Sequence, residues 1–388
     1  MRVLMISKAL VSGTSQRKLE EIARCPDVEL TLVTPPYWHH DDGSKLMLER
    51  LYTEGYRMIV TSMALNGNYH LHYYPQLGRI MKEVRPEIVH IDEEPYNFAT
   101  FHAMLLARQH KAKALFFTWQ NLYRNYPPPF RQIELYNYHH AAFALAGNRD
   151  AVEILKRKGY NGRVQVIPQF GFDTEIYKRS APRQPRQAGD PFTIGFLGRL
   201  KEEKGLPLII DALSTLPDFC RAVFIGNGPM KSALEEQAAR LGIAERVSFK
   251  PSVPTSQVPR EIEQWDVHVL PSIRQPNWIE QFGRTLAEAM ACETPVIGSN
   301  LGEIPYVIGD AGLVFQEGDV QDLSACIRKL LDNPALYADL ASRGRQRVLD
   351  NYTQEQIARQ TYDVYCQMLG VASDLSQQPE ASAKRRKG

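Results

Sequence analysis

A chain of 388 residues, 44% hydrophobic and 23% charged, is long enough for two globular domains with full cores, and a formal net charge of +2 excludes a general affinity for nucleic acid. Five scattered cysteines, Cys25, Cys220, Cys292, Cys326 and Cys366, are odd in number and never spaced like metal ligands, which fits a reducing compartment. No stretch reaches the ~18 apolar residues that cross a bilayer and no apolar leader precedes the first strand, so the expected location is cytoplasmic or peripheral to the inner membrane face.

The first half alternates short apolar strands with amphipathic helices, the pattern of a parallel sheet covered on both faces. Strands are expected over 3–6, 28–33, 58–61, 87–91, 114–118, 142–146 and 164–167, with a helix through Ala23. Ligands of such sheets bind beyond the carboxyl ends of the strands, so the following loops are the places to search. Ser12-Gly13-Thr14 follows the first strand, where a glycine lets backbone approach a phosphate or sugar, or simply makes an ordinary turn. His90-Ile91-Asp92-Glu93-Glu94-Pro95 ends another strand with three acids. A metal cluster is disfavoured because adjacent strand residues face opposite ways. Instead Glu93 or Glu94 is expected to meet a sugar hydroxyl, with plain solvent exposure as the other reading. His72 is held in reserve for an acceptor-side role.

The stretch 180–190, rich in proline, arginine and glutamine, reads as an interdomain linker. A second α/β unit opens with a strand over 192–197, then Gly198-Arg199 and Lys204 five positions on, two cations able to meet a diphosphate or a solvated helix start. Further on stands Glu280-Gln281-Phe282-Gly283, then a helix-favouring run through Ala291, with Glu288 eight positions after Glu280. A proline strand, Thr294-Pro295-Val296-Ile297, follows. The loop-to-helix junction offers backbone N–H groups and a positive dipole end. At 1.5 Å per residue the two carboxylates lie about 10 to 12 Å apart, the reach of a nucleotide sugar. The other reading is a helix whose first turn carries acids to suit its dipole. Arg274 and Trp278 either shape sugar specificity or pack the loop. Helices are expected over 322–332, 334–348 and 353–370, and the polar tail from 373, with Lys384-Arg385-Arg386-Lys387, is expected to be disordered. Those cations can meet anionic lipid or serve only solubility.

The glutamate pair, the Phe-Gly and the proline strand, in that order, resemble the donor-binding signature of the retaining family 4 glycosyltransferases, the group 1 glycosyl transferases. That resemblance implies a GT-B fold, two Rossmann-like α/β domains whose parallel sheets face a central cleft. The domains would be 1–178, completed by the final helix 353–370, and 191–352, with the linker at 179–190. It implies transfer of a sugar from a nucleoside diphosphate sugar to an acceptor hydroxyl with retention, and neither a cofactor nor an essential metal. Glu280 would hold the donor sugar, Glu288 the ribose, Arg199 and Lys204 the diphosphate, and the Phe282 and Gly283 amides the sugar or phosphate end. A sugar-containing or lipid-linked acceptor would sit near Gly13, Glu94 and Gln120. Gln120 departs from the family, which often has a histidine there; an amide exchanges hydrogen bonds but shuttles no proton near neutrality. Two alternatives stay open: a nucleotide-sugar epimerase or hydrolase, and a non-catalytic nucleotide-sugar-binding subunit.

Overall fold

Runs of β-branched and aromatic residues bounded by turn residues form two wholly parallel sheets in the computed structural model, which describes residues 1–40, 42–184 and 190–373. The chain divides into two units, Met1–Gly171 with the described residues 354–373, and Phe172–Thr353. The division thus falls before the expected boundary at 178. Of the expected linker, Ser180 bonds to the Glu263 carboxylate and Arg183 to the Trp265 carbonyl at 2.7 Å, so this polar segment is tied to the second unit. Residues 185–189 of that linker, and the expected tail beyond 373, lie outside the described residues.

In the first unit the strands are β1 (Arg2–Ile6), β2 (Glu29–Thr34), β3 (Tyr37–His39), β4 (Lys45–Met47), β5 (Arg57–Val60), β6 (Ile88–Ile91), β7 (Lys113–Thr118), β8 (Phe143–Ala146) and β9 (Val164–Val166). The helices are α1 (Arg17–Ala23), α2 (Leu77–Val84), α3 (Phe98–Gln109), α4 (Phe130–His140) and α5 (Arg149–Arg157). The sheet order is β5-β2-β1-β6-β7-β8-β9, with β3 and β4 paired apart as an antiparallel hairpin that sequence reading did not foresee.

In the second unit β10 (Phe192–Leu197), β11 (Cys220–Ile225), β12 (Val247–Lys250), β13 (Val267–Leu270), β14 (Val296–Ser299) and β15 (Leu313–Phe315) are ordered β12-β11-β10-β13-β14-β15. They alternate with α6 (Pro207–Ser214), α7 (Lys231–Arg240), α8 (Val258–Ile262), α9 (Arg284–Ala291), α10 (Ile304–Ile308), α11 (Val320–Asp332) and α12 (Pro334–Asn351). The last helix, α13 (Gln354–Leu369), belongs to the first unit. Its buried Ile357, Val364, Tyr365 and Met368 share a core cluster with Leu19 and Ile22 of α1 and Met5 of β1. Each such side chain contributes about 1.5–3 kcal/mol by leaving water. All five cysteines are buried free thiols. Among the described residues no helix is long and apolar enough to cross a membrane.

A buried histidine stands in each sheet. His90 on β6 shares a 2.7 Å hydrogen bond with the Tyr365 hydroxyl of α13. On β13, His268 donates from Nδ1 to the Gly195 carbonyl at 3.2 Å and accepts at Nε2 from Thr285 Oγ1 at 3.0 Å, arrangements that suit a neutral ring. Burial pulls both rings down to about 4. A depressed histidine pKa means that the unfolded chain binds the extra proton between about 4 and 6.5, so each ring's contribution is complete above 6.5 and is lost as pH falls through that window. Each therefore steepens acid destabilisation by up to about 1.4 kcal/mol per pH unit. Urea unfolding of His268→Gln at pH 7, 6 and 5 is expected to show a shallower fall of stability than the wild type.

Candidate functional site

The second-unit site is built where β10 and β13 end. Beyond β10, Gly198 is followed by the exposed Arg199, and a short turn carries Lys204. Gly205, at φ +63°, lets that turn lie against the chain after β13, because a Cβ there would stand 2.0 Å from the Pro271 carbonyl oxygen. Ile273 N–H donates to Glu203 O at 3.0 Å and locks the approach. Lys204 Nζ consequently reaches Glu280 Oε2 at 2.5 Å, where Ser272 Oγ also donates at 3.0 Å. Lys204 also stands 4.7 Å from the centre of the Trp278 ring, so Trp278 supports the cation as well as packing its loop.

Glu280 is 8% exposed in the loop. Phe282 is buried, with its ring edge-on to Tyr352 at 5.4 Å, and Gly283, at φ +81°, precedes α9 with no side-chain cap. No acid lies in the first turn of α9, so the reading of two dipole-placed acids does not apply. Glu288 stands further along the helix, 5% exposed, and accepts through Oε1 from Arg284 Nε at 2.9 Å and from the Tyr177 hydroxyl at 3.1 Å. Burial raises its pKa while Arg284 and Tyr177 oppose the rise. Arg284 was within reach of sequence reasoning through the i, i+4 rule; nothing local signalled Tyr177, more than a hundred positions away.

In the first unit the three acids after β6 take three directions. Asp92 accepts from Ser7 Oγ at 2.7 Å and from Gln169 Nε2. Glu93 is paired with Lys8, and His72 Nε2 lies 3.4 Å from its Oε1. Burial alone would raise the Glu93 pKa, but Lys8 and His72 hold it down at about 2. Glu94 accepts from Thr118 Oγ1 at 2.6 Å and Trp119 N–H at 2.8 Å, yet burial pushes it up to about 7. The carboxylates thus serve separate partners.

His72, fully buried, hydrogen bonds through Nδ1 to the Asn68 carbonyl and packs edge-on to Trp38. Gly13 donates its N–H to Glu49 Oε2 at 2.8 Å, and Leu51 lies so close that a Cβ on Gly13 would stand 2.5 Å from it. Gln120, after β7, accepts at Oε1 from Lys158 Nζ at 3.1 Å, and Lys158 is paired at 2.6 Å with the fully buried Glu134. The Glu134–Lys158 pair escaped sequence reasoning because it joins α4 to the residue after α5. The structure brings Glu280 and Lys204 together directly, and sets Glu288 on the helix that follows; Glu94 and Gln120 share Thr118, whose Oγ1 donates to the first and accepts the second's N–H.

Residues 178–347 match the family model described as Glycosyl transferases group 1. A 2-deoxystreptamine glucosyltransferase of Streptomyces kanamyceticus is 29% identical over 189 residues, 47% of either chain. A GDP-mannose-dependent alpha-(1-6)-phosphatidylinositol monomannoside mannosyltransferase of Mycolicibacterium smegmatis is 30% identical over 207 residues, 50% of this chain and 54% of that one. The chain spans about half the length of these curated relatives. The Anabaena protein Alr3699/HepE, solved in complex with UDP, superposes over 95% of this chain and 100% of its own with a TM-score of 0.66 at 17% identity, a likeness of fold.

Removing Lys204 leaves the buried Glu280 carboxylate without its cation, whereas Glu280→Gln keeps an acceptor for Ser272. Lys204→Met is expected to cost on the order of 3 kcal/mol of stability, more than Glu280→Gln, in denaturant unfolding of the ligand-free protein. The two parallel-sheet units have the GT-B fold, and residues 178–347, nearly the whole of the second unit, match the model of the glycosyl transferases group 1.

Proposed function

We propose that this chain is a retaining glycosyltransferase that moves a sugar from a nucleoside diphosphate sugar to an acceptor hydroxyl without an essential metal. The observation that carries the reading is the pair of buried carboxylates, Glu280 and Glu288, each beside its own cation and each within the segment matched to the family. Both hydrogen bonds to Glu288 fall on Oε1, which leaves Oε2 to accept from ribose hydroxyls. Glu280, held by Lys204 and Ser272, is suited to accept from hydroxyls of the donor sugar. Arg199, exposed beside the Lys204 turn, joins that lysine in meeting the diphosphate. As the leaving diphosphate gains negative charge, these fixed cations stabilise it in the role a divalent ion would otherwise fill. The Phe282 and Gly283 amides, at the start of α9, add donors for the sugar or phosphate end.

In the first unit Glu94 and Gln120 are the groups for an acceptor, which the relatives' names suggest is a sugar, a cyclitol or a lipid-linked sugar. Glu94, with its pKa near 7, changes charge around neutrality and can take a hydrogen bond from the attacking hydroxyl as carboxylate. The likeness to a protein solved with UDP makes uridine nucleotides the first donors to try, and the mannosyltransferase relative makes guanosine nucleotides the second.

The test is thermal unfolding against UDP-, GDP- and ADP-sugars, for the wild type, Glu288→Gln and Arg199→Ala. A ligand at 100 times its dissociation constant stabilises by about 2.7 kcal/mol. One nucleotide class is expected to stabilise the wild type and to lose most of that effect in both variants. The reading fails if no nucleotide shifts the intact wild type. Proton NMR of the first product then reports the anomeric configuration, and turnover in excess EDTA reports the metal requirement.

A further inference from the structure

The turns that lead from α2 into β6 and from α3 into β7 lie side by side, because β6 and β7 are neighbours in the sheet. Both are cationic, with Lys82 and Arg85 at the first and Lys111 and Lys113 at the second. Arg2, opening β1 on the other side of β6, joins them around a recess of about 760 Å³ whose lining sets five Lys and Arg side chains against one acid, Glu87. A chain of net charge +2 thus gathers more positive charge here than it carries overall. The acid is already engaged. Glu87 accepts the Arg2 N–H at 2.9 Å and lies 3.7 Å from the Arg2 guanidinium, the one ion pair of the recess among the described residues. Arg2 Nε donates to the Arg85 carbonyl at 2.8 Å and Lys113 Nζ to the Met368 carbonyl at 2.5 Å, which ties both turns to their neighbours. Lys82, Arg85 and Lys111 remain as exposed cations facing no acid among the described residues.

Cations suit the negative end of a helix dipole, and that accounts for Lys82 in the last turn of α2. It does not account for the backbone. Arg85 at φ +50° and Lys111 at φ +58° occupy the left-handed region, where glycine escapes the Cβ penalty and is the usual residue after a helix. Both positions carry a long cation instead. The turn amides are used internally, Arg85 N–H by the Met81 carbonyl at 2.9 Å and Lys111 N–H by the Arg108 carbonyl at 3.1 Å, so a ligand in the recess is met by side chains. Arg2 opens β1, Glu87 precedes β6 and Lys113 opens β7, which puts the recess at the amino ends of the strands. Ligands of open α/β sheets bind at the opposite ends.

We propose that this recess is an anion site of the first unit that takes the phosphate groups of a polyanionic ligand, met by Lys82, Arg85 and Lys111. More than one phosphate fits, because three cations without an acid line one recess and each pairs with its own oxyanion. A dissolved oligophosphate and the headgroups of an anionic bilayer offer this same chemistry. The site stands or falls independently of the glycosyltransferase reading.

The double variant Arg85→Gly/Lys111→Gly tests it, because it removes two of the cations while relieving two left-handed residues, so lost binding does not follow from a damaged backbone. Arg240→Gln/Lys329→Gln, on exposed cations in the last turns of α7 and α11, is the control of equal charge and like setting. Calorimetric titration with inorganic tripolyphosphate reads the dissolved-anion arm; there each protein also carries Arg199→Ala, which weakens the competing cations of the second unit. Cosedimentation with phosphatidylcholine vesicles, with and without phosphatidylglycerol, reads the lipid arm. The glycine variant is expected to bind about tenfold or more weakly than its parent in one arm, with its melting temperature lowered by no more than a few degrees, while the control stays within twofold. Binding of tripolyphosphate assigns the site to a dissolved ligand, and binding confined to the phosphatidylglycerol vesicles assigns it to a lipid headgroup. Equal losses in the two double variants reduce the effect to net charge and overturn the site. Absence of binding by the parent in both arms, or affinity unchanged by the glycine variant, overturns it as well and leaves these cations serving their helix ends.

Discussion

A carboxylate taken out of water must be given a cation and donors in return, or it takes up a proton instead. Both units meet this constraint in the loops and helices that follow their parallel strands. Lys204 answers Glu280, Arg284 answers Glu288, Lys8 answers Glu93, and Lys158 answers Glu134. Open α/β sheets present their strand ends to ligands, and the buried Glu93 and Glu280 stand beyond the ends of β6 and β13. The lysines and arginines that accompany them are part of the fold's solution before they are part of any reaction. Glu94 is the exception that shows the rule: with only a hydroxyl and an amide for partners, it is pushed up to about 7.

The same constraint links backbone to site. Lys204 reaches Glu280 only because Gly205 allows its turn to lie on the Pro271 carbonyl, and a side chain there would part the two charges. In the first unit α13 performs the matching service from far along the chain. It lays Tyr365 against His90 on β6, the strand that delivers Asp92, Glu93 and Glu94. Packing and electrostatics therefore act on the same segments.

Much of this was legible in the sequence. The alternation of strands and helices gave two parallel sheets, because period and length are local properties of a chain. Glu280 and Glu288 stood out through the resemblance of their segment to a family signature, since spacing alone left open a helix with acids in its first turn. The expected boundary at 178 followed from the prolines, arginines and glutamines of 180–190, which read as a linker, whereas the chain divides after Gly171 and Arg183 answers the Trp265 carbonyl. Tyr177 on Glu288, Lys8 on Glu93 and Lys158 on Gln120 were invisible for a common reason. Each contact joins residues dozens of positions or more apart, through a topology that composition and periodicity do not encode. Between Glu93 and Glu94 the sequence could not choose, because each meets partners from other elements, Lys8 for the first and Thr118 for the second.

Gly13 shows how a correct observation about a residue can carry a different meaning in the fold. A glycine after the first strand of such a sheet permits close approach, and a phosphate or sugar is the visitor that sequence reasoning expects there. What approaches in this structure is the chain itself. The segment after the β3–β4 hairpin brings Leu51 to where a Cβ would collide, and Glu49 places a carboxylate on the Gly13 amide, in the position an anionic ligand would take. Glu49's own backbone is pinned as well, its N–H to the Val11 carbonyl and its carbonyl oxygen to Gln16 Nε2 at 2.7 Å. The glycine is therefore required whether or not a substrate ever reaches it. Any ligand that needed this amide would have to displace a hydrogen-bonded carboxylate.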